Sequence, residues 1–428
     1  DDLHREDQVA TGWVSNIGWE HIDLEAPLAL EPGLVSFVGA VLAAIESTLS
    51  VALQLAVVSH EEHEPGSIEF LRAFPAQVGC WAVAISCSAA VDTTLASLAA
   101  VGNPDPAAIQ AVAMKLHQAA DAWVLLLATG AGGGALSLSP SLSRGLSLEE
   151  RTRAAALVTA SAQCAGVVTR LAEANIVAPG AFLWESQLRF EWDSAAGTCT
   201  AGTFGASFPL GYEYAGNGAR LVITPQTERV FLAATNALAS LSVAAVSGQP
   251  GVGKLHTLRE LATAMGRVLF ILPCSESTDV STLCHGFKGL LGTGAWGCLR
   301  HLDRLSSPVL SIAGVTLRAA LDALAEGAPS CRLPDDEVAV PVVSSVGFLA
   351  TLGVFSSSAR PLPLEAASQL RPVALLPPDS RAVAHVLLMS GGFRSAGTLA
   401  AKITLLFASC VALAPPEAEG WGGGMEGP

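Results

Sequence analysis

The stretch GQPGVGKL at residues 248–255 has the residue types and spacing to bind phosphate. Gly248, Gly253 and Lys254 fall at the intervals of G-x-x-x-x-G-K, with Gly251 between them. Glycines at these points let backbone N–H groups turn toward phosphate oxygens, and the lysine adds a positive charge. The next position normally supplies a Ser or Thr hydroxyl to Mg²⁺, and here it is Leu255. Other groupings are weaker. His60 and His63 in SHEEHEPGS are spaced i and i+3 but read as part of an exposed charged loop. Cys274, Cys284 and Cys298 fall on or beside apolar runs and read as buried thiols. No Ser/His/Asp or Cys/His set follows from the spacing.

A phosphate loop works only between a strand and a helix. SVAAV precedes the loop and LHTLRELATAMG follows it, which supplies that context. ARLVIT, SVAAVS, RVLFILP, AWGCLRHL, SVGFLATL and PVALLP are short apolar runs separated mostly by helical stretches. Strands that are apolar throughout, alternating with helices, predict a parallel sheet covered on both faces. The first 175 residues differ: helices are predicted at about 34–58, 67–73, 76–100, 106–128 and 148–174. Ser147 is placed to cap the last, with two Glu in its first turn. Connectors are predicted at 101–106 and 129–147.

Composition bounds the rest. The 428 residues allow two or three domains. Half the chain is apolar and 14% is charged, which excludes a disordered, solvating protein. A net charge of −15 with no basic stripe argues against nucleic-acid binding. Nine cysteines without a C-x-x-C pair fit a reduced, intracellular chain. The uncharged run 122–143 is interrupted by TGAGGG and SLSPSLS, so it predicts a helix leading into a flexible loop rather than a membrane span. The chain starts at Asp1, its first Met is Met114, and it reads as a piece of a longer protein. The tail EAEGWGGGMEGP reads as an unstructured end or connector.

PLGYEYAGNGARLVITPQTERVF followed by GQPGVGK resembles the lead-in to the first AAA+ module of dynein heavy chains. FKGLLGTGAWGC, LRPVALLPPD and LLMSGGFRSAGTLAAKI continue the resemblance in order. Upstream, FPAQVGCWAVAI and FLWESQLRFEW are similar to the C-terminal part of the dynein linker. The resemblance implies a helical linker segment over 1–207 and an AAA+ P-loop core with a parallel sheet over 208–425, with the start of the small helical subdomain at its end. It also implies a nucleotide site at Gly248, Gly251, Gly253 and Lys254, with Thr224 and Pro225 on the adenine side.

Four positions depart from the family pattern. Where the family has an Asp for the metal and a Glu for the attacking water, the chain has Arg300 and His301. Where it has an Asn that senses the γ-phosphate, the chain has Gly353, and Leu255 replaces the hydroxyl. A cation about 4 Å from Mg²⁺ would be repelled by about 8 kcal/mol at an effective dielectric near 20. The resemblance therefore implies a degenerate ATP site that does not hydrolyse, in a structural component of a ciliary or flagellar axoneme. Binding of ADP or ATP without Mg²⁺ stays open beside a loop kept only for folding. So do a nucleotide-gated switch and a microtubule motor driven by other modules. The partners implied are other axonemal or dynein-complex proteins, with microtubules reached through the larger assembly and no membrane or nucleic acid. The implied location is the cytoskeleton of a cilium or flagellum. Asp303 and Arg304 are expected to form a surface or interface pair, and Arg371 an interface contact or ion pair.

Overall fold

Local signals decide most helices, as the start of the helix after Ser147 illustrates. The Ser147 hydroxyl accepts from the Glu150 N–H at 3.1 Å, and the Glu150 carboxylate accepts from the Ser147 N–H at 2.7 Å. Two N–H groups that helix geometry leaves unpaired are thereby satisfied. The computed structural model describes residues 3–413 except 7–8, 16, 18–19, 30–32, 101–105, 130–145, 335–337 and 354–361. The predicted tail, most of the 129–147 connector and the 101–105 part of the other lie outside the described residues.

Strands β1 (Leu3–Glu6), β2 (Val9–Val14) and β3 (His21–Ala29) open the chain. Helices α1 (Leu34–Glu62), α2 (Ile68–Ala73), α3 (Ala76–Ala100), α4 (Ala107–Thr129), α5 (Leu148–Glu173) and α6 (Phe182–Glu185) follow, then β4 (Arg189–Asp193), β5 (Thr198–Thr203) and β6 (Ala206–Pro209). Next come α7 (Pro225–Ala239), β7 (Val243–Gly248), α8 (Lys254–Ala264), β8 (Leu269–Pro273), α9 (Val280–Thr293), β9 (Trp296–Arg300), α10 (Ser307–Glu326), β10 (Ser330–Cys331), β11 (Val340–Pro341) and β12 (Gly347–Gly353). The last elements are α11 (Leu364–Ala367), β13 (Leu370–Ala374), α12 (Ser380–Ser390) and α13 (Ala396–Leu413).

Contacts divide the chain into two compact units, one of residues 1–201, 209–224 and 379–413, the other of 202–208 and 225–378. The chain crosses between them more than once, so a contact unit and a sequence module are different divisions. Helix α12 belongs to the first unit through its packing on α4 and α5. That unit is not purely helical. β1, β2 and β3 form an antiparallel sheet with irregular register at Leu3/Arg5 and Ala10/Gly12. The bulged register and the charged, Pro-containing β3 (HIDLEAPLA) break the period-two pattern that would announce strands.

In the second unit, five parallel strands lie in the order β13-β7-β12-β9-β8. Val243 and Ala245 of β7 share one apolar core with Phe287 and Leu291 of α9 and Leu310 and Leu317 of α10. Period-two alternation turns Ala244 and Val246, both fully buried, to the opposite face. Helices α7 and α8 pack on β7 and β12. The chain thus has an α plus α/β architecture with an AAA+-type parallel sheet, as predicted. One predicted strand fails: 219–224 (ARLVIT) forms none and contacts the first unit instead.

Among the described residues, four helices are long and apolar enough to cross a membrane: 36–62 within α1, α3, α5 and α10. The uncharged run 122–143 contributes only the end of α4 within the described residues. All nine cysteines are free thiols. Helix α1 runs on through His60 to Glu62, so this part of SHEEHEPGS is helix rather than loop. His60 stacks edge-on against Phe70, and His63 engages the Ser59 carbonyl at 2.9 Å. Among the described residues, no three His, Cys, Asp or Glu side chains are grouped to hold a metal.

Candidate nucleotide site

Strand β7 delivers Gly248 to its C-terminal end, and α8 begins six residues later at Lys254. A Cβ on Gly248 would lie 2.7 Å from the Leu375 carbonyl oxygen, closer than real Cβ atoms approach, so only glycine fits. Gly251 and Gly253 adopt left-handed φ values of 78° and 89°, the latter as the N-cap of α8. That conformation suits glycine and strains other residues. Lys254 is buried, and its Nζ donates to the carbonyls of Gly248 and Gln249, both at 2.9 Å. Thr257 fastens the turn by donating its N–H and hydroxyl to the Gly253 carbonyl at 2.9 and 3.0 Å.

Sheet order gathers the other predicted positions. Gly353, at the end of β12, lies in register with Gly248 on β7. On the other side of β12, Ala350 pairs with Leu299, which places Arg300 and His301 at the same edge. His301 has a left-handed backbone, φ 58° and ψ 50°, and its N–H donates to the Thr351 hydroxyl at 2.9 Å. Leu255 is in the first turn of α8, half-buried. Phosphate-loop glycines, Lys254, Leu255, Arg300, His301 and Gly353 therefore share the C-terminal edge of three adjacent strands, where open α/β sheets bind ligands. Thr224 is buried and belongs to the first unit, while Pro225 is exposed at the start of α7.

Asp303 departs from expectation. It is buried, not part of a surface pair, while Arg304 beside it is exposed. A short 3-10 turn over Leu302–Arg304, anchored by buried Leu302 and Leu305, rotates the carboxylate inward. Its Oδ1 accepts from the Gly353 N–H at 3.1 Å, and its buried Oδ2 has no hydrogen-bond partner. The available signal was an Asp–Arg pair between the two leucines of an L-x-x-L turn. Burial, reinforced by the Asp303 charge, pushes the Cys274 thiol up to about 12. Burial does the same to Cys298, also to about 12. Neither is a thiolate near neutral pH, so neither is an activated nucleophile or a ready metal ligand. Arg371 is exposed on β13.

The residues fit a phosphate better than a metal. The loop offers N–H donors at a helix N-terminus beside a lysine. Magnesium requires oxygen ligands in near-octahedral array, and positions 255, 300, 301 and 353 supply Leu, Arg, His and Gly.

Residues 210–414 match the family described as the hydrolytic ATP binding site of the dynein motor region. The chain is 33% identical to dynein axonemal heavy chain 9 of Homo sapiens over 265 residues, 62% of this chain and 6% of that protein. It is 29% identical to a ciliary dynein beta chain of Heliocidaris crassispina over 410 residues, 96% of this chain and 9% of that protein. Dynein axonemal heavy chain 2 of Homo sapiens is 33% identical over 261 residues, 61% of this chain and 6% of that protein. The chain thus spans less than a tenth of the length of these relatives. The chain is thus similar to dynein heavy chains along nearly its whole length, with the phosphate loop seated on a parallel sheet.

Proposed function

We propose that this chain is part of a dynein-related component of a cilium or flagellum, and that its nucleotide module serves the architecture of the assembly without hydrolysing ATP. The observation that carries this reading is the pairing at one sheet edge. A complete phosphate cradle at Gly248–Lys254 sits beside four positions without a side-chain oxygen ligand for Mg²⁺ or a water-orienting carboxylate. Hydrolysis depends on neutralising charge at the γ-phosphate and aligning water. Arg300 opposes a divalent cation, while its planar guanidinium suits phosphate oxygens directly. The axonemal and ciliary names of the relatives support the location. The partners on this reading are other axonemal or dynein-complex proteins, with microtubules engaged through the larger assembly and no role for nucleic acid or membrane.

Thermal melting with ADP and ATP, with and without Mg²⁺, tests the role. A purely architectural loop gives no shift. The conformation of the loop glycines favours a second reading, a non-hydrolysing switch that binds ADP or ATP without metal. Its signature is a Mg²⁺-independent rise of several degrees, the mass-action effect of a ligand bound to the folded state. Steady-state turnover of the full-length protein above about 1 s⁻¹, within the ordinary enzyme range, and stimulated by microtubules would overturn both in favour of a motor driven by other modules. Combining Leu255→Thr, Arg300→Asp, His301→Glu and Gly353→Asn is expected to create Mg²⁺-dependent nucleotide binding. Failure to do so would reject the assignment of the four positions to one metal and water site.

A further inference from the structure

The segment GYEYAGN, residues 211–217, precedes the phosphate loop in sequence, but its own contacts lie within the first unit. There it meets a buried charge centre. Glu20 is fully buried, and its Oε1 accepts from the Ala76 N–H at 2.8 Å and pairs with Arg153 Nε at 2.7 Å. Arg153 also pairs with Glu149 at 2.6 Å and donates to the carbonyls of His21, Leu71 and Arg72. This centre joins β3, α2, α3 and α5. The remaining oxygen of Glu20 accepts from the Tyr214 hydroxyl at 2.6 Å.

Further hydrogen bonds hold the segment. Gln77 of α3 donates its Nε2 to the Glu213 carbonyl at 2.7 Å and accepts from the Ala215 N–H at 2.9 Å. Asn217 donates its N–H to the Ile17 carbonyl at 3.2 Å and its Nδ2 to the Thr152 hydroxyl at 3.1 Å. Tyr214 meets Trp13 edge-on, and Tyr212 meets Trp81 the same way. No helix or strand includes these residues. Tyr212 has φ 56°, a left-handed backbone that strains a bulky residue and relaxes on release.

We propose that residues 211–217 form a latch, a strap that closes over the first unit through Tyr214 and Gln77 and opens without unfolding it. Opening removes one bond from Glu20 and leaves its pairing to Arg153 and Ala76 intact, so the charge centre survives. Burial, then the Glu20 charge, raises the Tyr214 phenol well above its ordinary value. The hydroxyl therefore remains a donor across physiological pH. Residues 218–224, which also belong to the first unit, separate the strap from Pro225 and α7.

Hydrogen exchange by mass spectrometry on the full-length protein tests this. Tyr214→Phe keeps the ring against Trp13 and removes only the O–H. Peptides carrying the Ala215 and Asn217 amides are expected to exchange about ten- to a hundredfold faster, the factor for one lost hydrogen bond to a charged group. Amides of α3 and α5 are expected to keep their wild-type rates. Gln77→Ala, which leaves the charge centre untouched, is expected to give the same pattern. Unchanged exchange in the strap in both variants would overturn the proposal. So would exchange that rises equally in α3 and α5, because the strap would then be inseparable from the unit.

Discussion

The charge centre of the first unit and the nucleotide edge of the second both place ionisable residues among buried neighbours, yet they treat them oppositely. Around Arg153 and Glu20, carbonyls, an N–H and a phenol surround the charges. At the nucleotide edge, Leu255, Arg300, His301 and Gly353 stand where resemblance implies metal- and water-handling groups, and one oxygen of Asp303 has no hydrogen-bond partner. The glycines and Lys254 beside them are complete. Polar residues that hold backbone in place are present in both regions, and on the proposed reading the second lacks only those that would serve hydrolysis. Folding and catalysis make separate demands on a sequence, and the two regions show where those demands part.

The largest effect that could break the contrast lies in the charge centre. Arg153→Met strands Glu20 as an unpaired buried charge, and about 3–5 kcal/mol of stability should be lost in urea denaturation. Adding Glu20→Leu to the same chain should recover part of that loss. A cost below about 1 kcal/mol would mean that water reaches the pair. Asp303 tests the other region. Asp303→Ala leaves the Gly353 N–H without its acceptor and should cost about 1–3 kcal/mol, whereas Asp303→Asn keeps an acceptor and should be nearly neutral. Equal losses from the two would show that the charge itself is needed, which would make the edge resemble the charge centre.

Smaller effects sharpen the picture locally. Ser147→Ala removes half of the capping box and should cost about 1 kcal/mol, read as a lower melting temperature. The adjoining Glu150 gives a pH signature. Burial pushes its carboxyl up, but bonds from Ser147 and Arg72 outweigh this and the net shift is downward. A lowered folded pKa stabilises above the ordinary carboxylate value near 4.3 and is lost as pH falls through the folded value. Glu150→Gln should therefore flatten the acid limb of the stability curve. His60 works in a different window. Burial lowers its pKa, partly opposed by Glu61, so the unfolded chain takes up the proton first. Its contribution is present above about 6.5 and declines as pH drops toward the folded value. His60→Phe should reduce the loss of melting temperature between neutral and mildly acid pH, and an unchanged loss would assign it to other groups.

Much of the fold was legible because it rests on local signals. Helix α3 spans the predicted 76–100, and α5 starts at the cap read from Ser147 and the Glu pair. Strand β7 and helix α8 flank the phosphate loop as its motif requires. Strands β1–β3 carry no such signal, because register irregularities and the charged β3 hide their alternation. ARLVIT has strand composition, yet strand formation needs a ladder partner, and its contacts are with the first unit. Propensity in strands follows the surroundings more than the residue.

The candidate site divides along the same line. The phosphate loop is contiguous, so eight letters specify its glycines, its lysine and the leucine that ends it. Sequence by itself also determined the likeness to dynein heavy chains, the α plus α/β class and the identity of the residues at the four altered positions. Only the tertiary structure decided that those positions share one edge, because strand order and register are long-range choices made by packing. It also decided that Asp303 turns inward to Gly353 and that Tyr214 closes on Glu20, 194 residues away in the chain. Side chains far apart in sequence have no local signal to announce them, and burial gives their few polar contacts their weight.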